Sequence, residues 1–596
     1  MNQSQTKICQ NCKNQFVIEP EDFAFYEKIK VPPPTFCPHC RLQRRLAYKN
    51  ERTLYKRTCD LCKKSIIAMF PQDAPFSVYC PSCWFSDKWD ALEYGLEYNT
   101  NQHFFRQFSA LREKVPRPSL YIDYPRTVGS TYMNLTGPIK NCYLVFLAED
   151  DENCAYSSSL FHSKDSFDCA NASKIILSYE LVNCDNCYQS FFSFDCKNCL
   201  NVYFSKNLIN CSDCFGCVNL RNKKFHIFNQ PHTQEQYNNT FKKLWNGSYR
   251  NLEIQRQKSG ELRDHFPQKY IHGFFNINSS GDYLYECKNV RYSFQVTGGV
   301  DSKYLYMVNM KPVANNYDYS DWGNNASWMY DCVNCGENIA RASFSYGCWG
   351  GSNMDYCDFS VFSHYMFGCV STMKKEYCIL NKQYSKEEFE VLRDKIIADM
   401  NQTLYVDKRG RIYKYGEFFP MELSLYPYMD TAAFDSFPLN EEEIKSQNYR
   451  WRPEEKKDYI PTIKAENLPD NIAEIDKEKI LSEVITCAHE GKCRDKCTYA
   501  FKFIPQEIDF YKRHKLPLPR LCHNCRHYRR FRQLTPLRLW PRSCGCAGKT
   551  SDNGLYNNTA VHPHQNNHCF NEFDTAYSPD RKEIVYCEKC YQEEVA

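Results

Sequence analysis

Asn183-Cys-Asp-Asn-Cys187, Asp195-Cys-Lys-Asn-Cys199 and Asn210-Cys-Ser-Asp-Cys214 follow one another in the middle of the chain. With Asn141-Cys, Asn153-Cys and Asp168-Cys before them, they set polar-Cys steps at 142, 154, 169, 184, 196 and 211, separated by 12, 15, 15, 12 and 15 residues. Cys142, Cys169 and Cys196 are each 27 apart. Short strands broken by turn-forming Asn and Asp at a fixed coil length are what a parallel β-solenoid requires, because each coil covers the next and small or apolar residues stack inward. Cysteine suits such a column as a small residue that is often buried. Cys184/Cys187, Cys196/Cys199 and Cys211/Cys214/Cys217 are also close enough for a metal or cluster site, so both readings stand.

The middle is duplicated. Phe215-Gly-Cys-Val218 returns as Phe367-Gly-Cys-Val370 at an offset of 152, and Thr233-Gln-Glu-Gln-Tyr237 corresponds to Ser385-Lys-Glu-Glu-Phe389. The latter pair are N-cap signatures leading into helices expected over about 242–260 and 386–400. A helix at the end of each half would shield an open edge from further pairing. The second half is rich in aromatics and carboxylates, including Tyr304, Tyr317, Asp318 and Asp321. Paired carboxylates could serve glycoside hydrolysis, but positions i and i+3 fall on opposite faces of a strand unless a turn intervenes.

Outward from this middle, one cysteine pattern appears at both ends. Cys9-x2-Cys12, 24 residues and Cys37-x2-Cys40-Arg41 are matched by Cys493-x3-Cys497, 24 residues and Cys522-x2-Cys525-Arg526. Phe16 to Tyr26 is echoed by Phe501 to Tyr511 at an offset of 485. Such thiolate pairs suit closed tetrahedral zinc, and a knuckle followed by a ligand pair at a helix start is the treble-clef arrangement. Cys59, Cys62, Cys80 and Cys83 read as a zinc ribbon, repeated by Cys544, Cys546, Cys587 and Cys590 around an insertion that carries His562, His564, His568 and Cys569. Four Zn2+ are expected, and a fifth could be held by Cys487, His489, His568 and Cys569. Four thiolates leave no open position on a metal, so catalysis there is not expected.

Residues 9 to 45 and 493 to 530 resemble a group of small bacterial zinc-binding domains of treble-clef type. The matching positions are Cys9, Cys12, Phe16, Phe25, Tyr26, Pro34, Cys37, Cys40, Arg41 and Arg44, and then Cys493, Cys497, Phe501, Phe510, Tyr511, Pro519, Cys522, Cys525, Arg526 and Arg529. The wider layout resembles uncharacterised cysteine-rich bacterial proteins with an Asn/Cys-rich repetitive middle. What the resemblance implies is metal binding.

The fold class expected is therefore multidomain and mainly β, a duplicated parallel β-solenoid flanked by treble-clef and zinc-ribbon modules. Its divisions are a treble clef over 1–57, a ribbon with a helical segment over 58–125, solenoid halves over 126–260 and 261–400, a connector over 401–486, a second treble clef over 487–543 and a second ribbon over 544–596. Thirty-five cysteines in 596 residues, many paired, favour metal thiolates over a disulfide framework. With no apolar signal segment and no run of 18 apolar residues, neither export nor membrane insertion is expected. Free zinc-binding thiols fit a reducing cytoplasm.

Net charge is only +4, but residues 511 to 542 hold ten Arg or Lys and no acid. Arg41, Arg44, Arg45, Arg526, Arg529 and Arg530, set beside rigid zinc sites, suit phosphate contact with RNA, DNA or a ribonucleoprotein. One alternative is a structural or protein-interaction scaffold in which the arginines bridge to acidic groups. Another is a carbohydrate-binding or carbohydrate-active solenoid.

Overall fold

The computed structural model describes residues 3–310, 313–323, 328–336, 338–453 and 459–595. Residues 454–458 of the expected connector lie outside these.

In the middle of the chain, strands pair in parallel and each residue meets the one twelve positions on. Phe146 pairs with Ser158, Ser158 with Ala170, Asp185 with Lys197, and Ser212 with Lys224. The coil is thus twelve residues, and the expected 27-residue period is two coils and one further triplet. Cys142 and Cys169 accordingly stand in different inward columns.

Within a coil the backbone keeps a beat of three. Asn141, Leu144, Leu147, Asp150, Asn153 and Tyr156 all hold φ between 52° and 56°. The residue after each turns inward, and Cys142, Val145, Ala148, Asp151, Cys154 and Ser157 are buried. Left-handed backbone strains most L residues and suits Asn and Asp best, which explains why Asn or Asp so often precedes the cysteines. The same amides bind along the stack, Asn186 to Asn198 at 2.9 Å, Asn198 to Asn210 at 3.1 Å and Asn210 to Asn222 at 3.1 Å. Inward thiols meet main-chain carbonyls: Cys184 Sγ lies 3.5 Å from Val182 O and 3.6 Å from Ser193 O. Serine fills equivalent places, with Ser178 Oγ donating to Ile176 O at 3.0 Å.

A nine-stranded sheet runs from Asn134–Thr136 to Gln230–Pro231, whose strand turns back antiparallel on Lys224–Ile227. The helix Gln234–Leu244 follows behind a capping box at Thr233. Gly247, at φ 85°, separates it from Tyr249–Asp264, so two helices stand where one was expected. Later, Lys382–Gln383 turns back on Glu376–Ile379 in the same way, and Lys386–Gln402 begins at a capping box on Ser385. Gly216 and Gly368 share φ 64°. A Cβ at Gly216 would stand 2.5 Å from the Phe228 ring.

Register widens in one place. Tyr306 pairs with Ser320 and Lys303 with Tyr317, each 14 residues on, and Tyr330 with Ser343, 13 on. Asp318 and Asp331 lie on these longer turns.

The terminal regions attach to this stack by short strands. Val78–Tyr79 pairs in parallel with Arg117–Pro118, and Val585–Tyr586 pairs in parallel with Gln268–Lys269. Each pairing lies just ahead of one run of coils. Among the described residues no helix is long and apolar enough to cross a membrane.

Candidate functional site

At the amino-terminal end, Gln5–Ile8 and Gln15–Ile18 form a hairpin that carries Cys9 and Cys12 at its turn. Cys37 is the N-cap of the helix Pro38–Leu46, which places Cys40 in its first turn. The hairpin Tyr55–Thr58 with Ser65–Ala68 presents Cys59 and Cys62 likewise, and Cys80 caps Pro81–Trp84. Ligand atoms of each four-cysteine set lie within 4.8 Å of one another. A zinc ion about 2.3 Å from four sulfurs would hold them about 3.8 Å apart. Cys12 and Cys37 are 3.7 Å apart, Cys62 and Cys80 3.8 Å, Cys497 and Cys522 3.9 Å, and Cys569 and Cys587 4.0 Å. The spacing fits the ion.

One hydrogen bond recurs in all four modules. The N–H of Cys37 donates to Cys9 Sγ at 3.3 Å, Cys80 to Cys59 at 3.3 Å, Cys522 to Cys487 at 3.2 Å and Cys587 to Cys544 at 3.2 Å. The sulfur that accepts it is the first ligand of each module, and the bond identifies which cysteine that is.

In the carboxy-terminal region this corrects three expected assignments. Cys487, not Cys493, occupies the place of Cys9 and clusters with Cys497, Cys522 and Cys525. Cys493 stands beside that set, 3.6 Å from Cys525 Sγ. The constant 485-residue offset points to position 494, next to Cys493, and misses Cys487, because the knuckle is longer here; the strand Ile485–Thr486 immediately before Cys487 is the local signal. Second, Cys544 groups with Cys569, Cys587 and Cys590, while Cys546 groups with His562, His564 and Cys590. Third, the expected set of Cys487, His489, His568 and Cys569 does not come together, since Cys487 and Cys569 belong to different clusters. His489 lies 4.0 Å from the Asp495 carboxylate, and His568 Nδ1 lies 2.9 Å from Cys569 O.

The six arginines face inward. Arg41, Arg44, Arg45, Arg526 and Arg530 are buried, and Arg529 is half-buried with its guanidinium on Glu180. Their partners are carboxylates of the coil stack. Arg41 and Arg45 both reach Asp318, at 2.8 and 3.0 Å, and Arg44 reaches Asp331. Arg526 and Arg530 both reach Asp168, at 2.9 and 2.6 Å, and Arg529 reaches Glu180. The rings agree: Arg41 lies over Tyr304 and Arg526 over Tyr156, at 5.0 and 4.6 Å, while Phe25 packs on Tyr317 and Phe510 on Phe167. Tyr156, Asp168 and Glu180 stand one coil apart in the left-handed column, as do Tyr304, Asp318 and Asp331. Turned into such contacts, these arginines present no outward phosphate-binding face.

The charges there are strongly perturbed. Burial would raise Glu180, but Arg529 and Arg256 hold it at about 2. Burial would raise Asp331 too, but Arg44 and Arg45 overcome it and hold this carboxyl below the ordinary range. At Asp318 burial prevails over Arg41 and Arg45 and the pKa is raised. Burial also prevails at Asp321, raised to about 6 beside Lys49. Asp321 accepts from Asn334 at 2.7 Å, so the carboxylates considered for sugar chemistry are tied to cations and an amide. A cleft of ≈ 870 Å³, lined by Cys12, His39, Tyr292, Arg409, Arg538 and Asp574 among others, includes neither Asp318 nor Asp321.

No family model matches the chain, and no curated protein matches it. Among solved structures, a protein of Desulfovibrio desulfuricans G20 provisionally described as an acetyltransferase aligns at 6% identity, with a TM-score of 0.09. The alignment covers 36% of this chain and 61% of that one, and at this TM-score it carries no argument. What the chain does hold is several Cys/His clusters, near both ends, able to coordinate zinc.

Proposed function

We propose that the protein is a non-enzymatic, zinc-braced scaffold. Its spine is a duplicated β-solenoid, and its treble-clef and ribbon modules are clasps that close on the spine. The observation that carries this reading is the contact made twice. Arg41, Arg44 and Arg45 meet Asp318 and Asp331 as Arg526, Arg529 and Arg530 meet Asp168 and Glu180. The arginines are 485 residues apart and the carboxylates 150 or 151.

The physics favours fixing shape over reversible capture of a ligand. A buried arginine stripped of its carboxylate is strongly destabilising, so each clasp holds its module in one orientation. The zinc ion fixes the short helix that carries the arginines, which is too short to be stable alone. Four-thiolate sets also leave no coordination position for a substrate.

The test sets this reading against nucleic-acid binding. Intact protein is titrated by fluorescence anisotropy into structured RNA, single-stranded RNA and duplex DNA at about 0.15 M salt. The scaffold reading expects no binding below about 10 μM. Tighter binding that is lost in the Arg526→Ala/Arg529→Ala/Arg530→Ala variant, with zinc content unchanged, would overturn it.

A further inference from the structure

The carboxy-terminal module contains more ligands than one ion can use. Cys544, Cys569, Cys587 and Cys590 form one set, and Cys546, His562, His564 and Cys590 form another. Cys590 is in both. Seven ligand atoms exceed the four of a tetrahedral zinc, and a cysteine sulfur has lone pairs enough to bind two cations. We infer that this module holds two zinc ions joined through the Cys590 thiolate.

The two histidines support the second ion independently of the sulfurs. His562 is fully buried, with Nε2 2.8 Å from the equally buried Glu594 carboxylate. Its Nδ1 is buried without a hydrogen-bond partner. A proton held on Nε2 by Glu594 leaves the Nδ1 lone pair free, which is the orientation a ligating histidine takes from a carboxylate behind it. His564 is fixed in the opposite sense: Nδ1 lies 2.6 Å from Asn567 O, and Nε2 lies 3.2 Å from Cys590 Sγ. Glu594 is itself positioned by the N–H groups of Thr559 and Ala560, at 2.9 and 3.1 Å. Asn558 Nδ2 donates to Cys546 Sγ at 3.2 Å, completing a polar shell around the second set.

Comparison with the first ribbon shows how the second ion is accommodated. There Cys62 lies 3.8 Å from Cys80; here the corresponding neighbour of Cys587 is Cys569, at 4.0 Å. Cys569, supplied by the insertion, takes the place expected for Cys546 and frees Cys546 for the other ion. Five thiolates, two neutral imidazoles and two divalent ions leave about one net negative charge. Two separate four-thiolate sites would leave about four.

The inference extends the zinc-braced reading and fails separately from it. Native mass spectrometry of the full chain should show five zinc ions, three at the other clusters and two here. His562→Ala/His564→Ala should lose one and Cys590→Ala two, whereas Cys587→Ala should spare the second ion. Exchange into cadmium-113 then reports on the intact wild type: two of five resonances should split each other through the shared sulfur. Four ions, or five resonances with no mutual splitting, would overturn the bridge while leaving the scaffold intact. A chain that binds no zinc would overturn both. If Cys587→Ala also loses two ions, the cadmium coupling decides.

Discussion

The two ends of the chain dock by the same contacts on different halves of the middle, and they do so crossed. The amino-terminal arginines reach Asp318 and Asp331, whereas the carboxy-terminal ones reach back to Asp168 and Glu180. Where they differ is in how the charge is shared. Arg45 bridges Asp318 and Asp331, at 3.0 and 2.7 Å, and Glu417 from the connector adds a third carboxylate, 3.0 Å from Arg44. At the other end Glu507 stands 3.4 Å from Arg526, and it comes from the docking module itself. The comparison teaches that the acceptor column is what repeats, while each end recruits its own extra acid.

Breaking the acceptors should have the largest effect. Asp318→Ala leaves Arg41 without a carboxylate, and Asp168→Ala does the same to Arg530. Each should cost about 3–5 kcal/mol. Hydrogen exchange should rise over residues 9–48 in the first variant and over 487–531 in the second. Protection lost at the same end in both variants would show that the docking is not crossed.

The pH response should separate the two ends more finely. Glu180 is depressed, so its contribution is present above its unfolded pKa near 4.3 and is lost as pH falls toward about 2. Asp321 is raised to about 6, so the folded state binds its proton more tightly and this group's penalty is relieved as pH falls through about 6. Denaturant unfolding of Asp321→Asn against wild type should therefore converge as pH drops from 7 to 5, by about 1 kcal/mol. Glu180→Gln should show no change over that interval and a smaller deficit only below about pH 4. Parallel curves for both variants would remove the distinction.

Much of this was legible in the sequence, and the failures are specific. The paired cysteines, the capping residues at Thr233 and Ser385, and the repeated Phe-Gly-Cys-Val are local signals, and local chemistry carried them. The coil length was misread because cysteine marks only some inward positions; serine, alanine, leucine and valine fill the rest of the three-residue beat. Arginines in a basic run looked solvated, because nothing nearby in sequence supplies their acids. Asp318 is 277 residues from Arg41, and Asp168 is 362 from Arg530. His562 and His564 stand out in the sequence, but their grouping with Cys546 and Cys590 depends on an insertion folding back.

The smallest expected effect concerns the inward cysteines, which differ from the terminal ones in having carbonyl partners. Cys196→Ser places a hydroxyl where serine already fills neighbouring turns, so stability should change by no more than about 1 kcal/mol. Zinc content by mass spectrometry should be unchanged. Loss of an ion would make that column a metal site and end its contrast with the terminal modules.

Crossed docking also sets a clock on synthesis. Arg41 leaves the ribosome 277 residues before its partner Asp318, and at 5–20 residues per second that interval is on the order of tens of seconds. During it the amino-terminal module carries buried-type cations with nothing to neutralise them, exposed to any acidic surface nearby. Asp168 waits longer still, holding an open socket until the last arginines emerge. A nascent chain of this kind is most vulnerable while residues 168 to 318 are being made, when both contacts are open at once.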